Sequence, residues 1–120
     1  GVFIMNFEEI TTLNDLEDGQ MKIFNVLGRE ILLARAGDEY YAADNKCPHL
    51  GGDLSHGVLD GVVLTCPVHH SQFDISSGDV IRWTDWSGIK LSLSKIFKSP
   101  TNLKTYPVKV EGDKIMVSLE

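Results

Sequence analysis

Two stretches decide how this chain is read: Cys47-Pro48-His49-Leu50-Gly51-Gly52 and Cys66-Pro67-Val68-His69. Each brings one thiol and one imidazole within a few residues, and sixteen residues separate His49 from Cys66. The chain has only two cysteines, and both fall inside these motifs. Two thiolates and two imidazoles can hold a tetrahedral zinc ion or an iron–sulfur cluster. A third reading makes them four unrelated residues that happen to share this spacing.

The spacing discriminates between the metals. Zinc fingers of the two-Cys, two-His type usually group cysteine with cysteine and histidine with histidine, the second pair on a helix. Here both pairs are mixed. That pattern suits a two-iron centre in which one iron takes both cysteines and the other both histidines. The intervening chain is also poor helix material, broken by Gly51-Gly52, Gly57 and Asp60-Gly61.

With these residues in view, the chain resembles the Rieske [2Fe–2S] family. The family pattern is C-x-H, a gap of fifteen to seventeen residues, then C-x-x-H. Flanking pieces agree: Leu54-Ser55-His56-Gly57 after the first pair, and Phe73-Asp74 then Ser77-Gly78 after the second. The resemblance covers roughly residues 20–83 and 104–119. It implies a Rieske [2Fe–2S] cluster, with Cys47 and Cys66 on the inner iron and His49 and His69 on the outer, each histidine through Nδ1. Replacing two thiolates by neutral imidazoles makes the centre less negative, so an added electron costs less and the potential rises.

The same resemblance bears on tuning. Respiratory-type members have two further cysteines, at positions that are Gly52 and Val68 here, so their disulfide is excluded. They also place a Ser and a Tyr hydroxyl against sulfur. Ser71 keeps the first hydroxyl and Phe73 lacks the second. The expected potential therefore falls in the lower part of the Rieske range of about −150 to +300 mV. Leu50, Gly51 and Pro67 are expected to shield the sulfides, with Gly51 and Gly52 close to Pro67 and Val68. The residue after the second ligand is often Gly in this family, and His70 stands there instead. His70 and His56 are read as surface residues.

Composition fits a small carrier. The 120 residues, 42% hydrophobic, make one domain (1–120) with a modest core. A formal charge of −6 argues against binding a nucleic-acid backbone. No apolar run reaches the ~18 residues of a membrane span. Reduced cysteines used as ligands point to a cytoplasmic setting. Residues 1–60 hold four basic against eleven acidic groups, whereas Lys90, Lys95, Lys98 and Lys104 face only Asp85 across 84–104. An acidic carrier meeting a basic partner gains encounter rate above all.

The expected fold is all-β, without long helical patterns. Strands are read over 21–27, 30–36 and 40–43. Hairpins are read at Asp60-Gly61, at Ser76-Ser77-Gly78-Asp79 and at Glu111-Gly112-Asp113, the last between strands 106–110 and 114–119. Residues 12–18 could form one helical turn. The resemblance implies an antiparallel β-sandwich base with a small cluster-binding subdomain, about 45–83, inserted between base strands. Residues 84–103 form a variable insertion, with an edge strand expected over 89–95. It is read as cover for the sandwich or, with Trp83 and Trp86, as a docking element.

Three functions compete. The favoured one is a soluble one-electron carrier, likewise a non-enzyme, monomeric, passing electrons from a flavin reductase to a terminal oxygenase or other redox enzyme. The second is a small redox subunit of a larger oxidoreductase, such as a nitrite reductase or oxygenase. The third is a zinc-stabilised binding module.

Overall fold

A computed structural model of the chain describes residues 6–49, 51–68, 70–83 and 100–119. Eleven strands form three antiparallel sheets among these residues. The first sheet has the order β1 (Glu8–Thr12), β11 (Lys114–Val117), β10 (Val108–Glu111). The second runs β2 (Met21–Val26), β3 (Arg29–Ala36), β4 (Glu39–Asp44), β9 (Thr105–Tyr106). The third runs β5 (Val58–Asp60), β6 (Val63–Thr65), β7 (Gln72–Asp74), β8 (Val80–Arg82). A 3₁₀ turn, Leu54–His56, precedes β5.

The third sheet is inserted between β4 and β9, which pair with each other through Ala42↔Tyr106 and Ala43↔Thr105. This is the all-β sandwich with an inserted subdomain expected above. Strand β3 explains how the parts cohere. Ile31, Leu32, Leu33 and Ala34 are all fully buried, an unbroken apolar run of the kind that a strand covered on both faces requires. Alternation sends Ile31 and Leu33 into the sandwich core with Leu16, Tyr106, Ile115 and Val117. Leu32 and Ala34 face a second core with Leu54, Leu64, Phe73, Cys47 and Cys66. The central sheet thus serves both the base and the inserted unit.

Local readings needed adjustment in four places. The strand read over 106–110 is two strands: Tyr106 pairs with β4 and Val108 with β11, with Pro107 between them. Proline has no N–H for a ladder and suits a switch between sheets. The hairpin at Asp60-Gly61 turns one residue later, because Asp60 pairs with Val63 and Gly61-Val62 form the loop. Gly61 takes φ 59° at the first loop position, where a two-residue turn of type II′ places glycine. Residues 12–18 make a turn closed by Asp15 N–H on the Thr12 carbonyl (3.2 Å), not a helix. Strand β1 was not read from the sequence at all. The edge strand expected over 89–95, and Trp86 with it, lies outside the described residues.

Candidate metal centre

Both motif loops are built the same way. Lys46 bridges Asp53, and the Cys47 N–H donates to the Gly52 carbonyl at 2.8 Å. Thr65 pairs with Gln72, and the Cys66 N–H donates to the Ser71 carbonyl at 2.8 Å. Each motif is therefore a six-residue loop between paired strand-like residues, with its cysteine at the first position. The cysteine lies inside while the loop tip faces out: Cys47 and Cys66 are buried, whereas Gly51, Pro67 and Val68 are exposed.

The loops meet at Gly52. A Cβ there would lie 2.8 Å from Cys66 Sγ and 3.0 Å from Val68 Cγ2, so only glycine lets the loops approach this closely. Gly51 has φ 75°, a left-handed value that favours glycine. Asp53 braces the first loop from below. Its carboxylate accepts from the Ser55 N–H (3.0 Å), the Ser55 hydroxyl and Asn45 Nδ2 (2.8 Å). These bonds hold its pKa below the ordinary carboxylate value, Ser55 contributing most. Arg82 braces the second loop, its Nε and Nη2 donating to the His70 carbonyl at 3.1 and 2.9 Å. A bulge at Ile81 in β8 sets the register that brings Arg82 opposite Gln72.

His70 is exposed and takes φ 58°. This left-handed conformation accounts for the glycine usual at that position, and histidine is among the residues that tolerate it. His56 is exposed as well, 3.9 Å from Asp53 Oδ2. Leu50 and His69, both expected at the site, lie outside the described residues.

His49 lies deep in the first loop. It is 2% exposed and packs on Trp83, with ring centroids 4.7 Å apart. Its Nδ1 stands 3.2 Å from Ser71 Oγ. A ligand role through Nδ1 therefore requires that this contact be given up. Ser71, expected above as a donor to sulfur, bonds a carbonyl in this structure. It is fully buried, and its hydroxyl donates to the Trp83 carbonyl. Phe73 is fully buried in the same cluster as both cysteines. Trp83 is a site residue that sequence reasoning missed, having read it with the docking segment. It is 5% exposed and touches the candidate ligand His49. No periodic or motif signal marks it.

The donor set fits an iron–sulfur group. Burial pushes the Cys66 thiol up to about 11, with the neighbouring Cys47 adding to the rise and the Val68 backbone N–H opposing it. A thiolate there needs cationic charge beside it, which ferric iron supplies. The two cysteines are free and share one buried cluster, and Gly52 leaves Cys66 Sγ uncovered by any side chain of its own.

Comparison with known proteins agrees. Residues 6–107 match the family described as the Rieske [2Fe-2S] domain. The ferredoxin component of the naphthalene 1,2-dioxygenase/salicylate 5-hydroxylase systems of a Ralstonia species is 32% identical over 96% of this chain and 97% of its own length. The ferredoxin component of the alkene monooxygenase system of Xanthobacter autotrophicus is 30% identical over 97% of this chain and 84% of its own. Among solved structures, the ferredoxin of carbazole 1,9a-dioxygenase from Nocardioides aromaticivorans IC177 superposes with a TM-score of 0.78. It is 27% identical, covering 95% of this chain and 98% of that one.

Proposed function

This chain belongs to the Rieske [2Fe–2S] family, and from that premise we propose that it is a one-electron carrier serving a terminal oxygenase. The observation that carries the reading is the pair of matched six-residue loops, each starting on a buried cysteine and meeting at Gly52. The relatives named as ferredoxin components match over most of their own length, which supports a carrier rather than a catalytic role.

In this reading Cys47 and Cys66 hold one iron through their thiolates, and His49 and His69 hold the other through imidazole nitrogens. When bound, the [2Fe–2S] group supplies one-electron redox chemistry at a potential raised by its two neutral ligands. The chain's own residues do the rest. The 47–52 and 66–71 loops fix the two thiols in one buried place, and Val68 N–H lowers the charge burden on Cys66. Trp83 shields His49 from water. Exposed Pro67 and Val68 form an apolar tip on which a partner can close. Residues 45–83 act as the cluster-binding unit of a single domain. A flavin reductase as donor, a monomeric state and a cytoplasmic location complete the proposal.

The test is an EPR spectrum of dithionite-reduced, anaerobically prepared protein together with its iron and zinc content. Two irons per chain and a rhombic signal of low average g support the reading. One zinc per chain with no signal overturns it in favour of a metal-stapled binding module. The ligand register is tested separately: His69→Ala loses the characteristic signal and His70→Ala keeps it, and the reverse result overturns the assignment.

A further inference from the structure

Trp83 carries an unexplained polar atom. Its indole ring is buried against His49, and its carbonyl accepts the Ser71 hydroxyl. Its Nε1 is buried and has no hydrogen-bond partner among the described residues. An indole N–H only donates, and a buried donor left unmade is costly enough that native proteins seldom tolerate one. The other fully buried side chains of its cluster are Leu, Ile, Ala and Phe, apart from Cys47 and Cys66, with Met21 and Tyr41 among the partly buried ones at its edge. Among those fully buried side chains only the two cysteine sulfurs can accept a hydrogen bond.

We propose that Trp83 is the potential-setting residue of this protein, its Nε1–H donating to sulfur of the cluster or of its cysteine ligands. The inference rests on the [2Fe–2S] reading above. It also accounts for two other features of the chain. Phe73 has no hydroxyl to offer, and the one hydrogen of the Ser71 hydroxyl is committed to the Trp83 carbonyl. A donor to sulfur stabilises the reduced, more negative state and raises the potential. The Ser71 bond to the Trp83 carbonyl and the His49 ring contact then serve to position the indole.

Redox titration of the loaded Trp83→Phe variant against wild type tests this, with iron content measured on both. Phenylalanine keeps an aromatic ring against His49 and removes the N–H. The expected result is full iron content with electron affinity lowered about tenfold, or about 59 mV for a one-electron couple. Unchanged potential at full iron content overturns the proposal and leaves the carrier reading intact. A second measurement needs no change at residue 83. In the Trp86→Phe background Trp83 is the sole tryptophan, and pulsed EPR of the reduced protein labelled with ¹⁵N-indole tryptophan should detect coupling to that nitrogen and to an exchangeable proton. Absence of both couplings in a protein with two irons overturns the proposal. Absence of iron from the wild type overturns the carrier reading and this proposal together.

Discussion

Gly52 and Cys66 stand so close that a methyl group on the glycine would lie 2.8 Å from the cysteine sulfur. Val68 Cγ2, at 3.0 Å from the same position, closes the other side. Gly52→Ala should therefore drive the two loops apart, at the cost of about 1–3 kcal/mol typical of overpacking. The expected outcome is a lowered melting temperature with reduced iron per chain. Wild-type values for both would show that the loops do not meet here.

The Arg82 guanidinium grips the second loop through the His70 carbonyl alone among the described residues. Arg82→Ala removes both bonds from a surface site, for a loss of about 1 kcal/mol. The expected signature is local: amide hydrogen exchange should quicken across 66–71 while β2 and β3 keep their protection. Uniform acceleration over the whole chain would mean that Arg82 acts through global stability instead.

Asp53 links acidity to the first loop. Its folded pKa is depressed, chiefly by the Ser55 bond. A depressed carboxylate contributes stability that is present above its unfolded value and lost as pH falls through the folded one. Stability should therefore decline as pH drops below about 4, the ordinary aspartate value. Asp53→Ala should cost about 1 kcal/mol at neutral pH, as loss of a capping side chain does, and should flatten that acid decline. Denaturant midpoints at neutral pH and at low pH measure both effects.

The turn between β2 and β3 offers a gain. Val26 pairs with Arg29, leaving Leu27-Gly28 as a two-residue loop with φ 51° and 83°. Positive φ at both positions defines the turn that favours Asn-Gly. Leu27 is 74% exposed, so its side chain contributes little packing in return. Leu27→Asn should stabilise the protein by about 1 kcal/mol, raising the melting temperature by about 4 °C. A lower melting temperature would show that Leu27 is held by contacts this geometry does not reveal.

The parts legible beforehand were those written in short windows. Cys47, His49 and Cys66 stand in spacings that few chemistries require, and β2, β3 and β4 are apolar runs bounded by Gly28 and Gly37. Gly61 and Gly112 mark hairpins because positive φ is a local need of the backbone. What failed was anything set by distant partners. Strand β1 is unremarkable by itself and exists because Glu8 pairs with Val117 across nearly the whole chain. Pro107 reads as a strand interruption, yet only the two ladders on either side of it reveal a change of sheet.

Local spacing by itself suggested the proposed donor set and determined the all-β class and most turns, because each depends on bonds and torsions within a few residues. Tertiary structure alone decided that β3 is covered on both faces, that Gly52 meets Cys66, and that Trp83 lies on His49 with its N–H unpaired among the described residues. Such pairings require closing long loops, and the burial that offsets that entropy is shared by residues from every sheet. No single stretch of sequence carries that information.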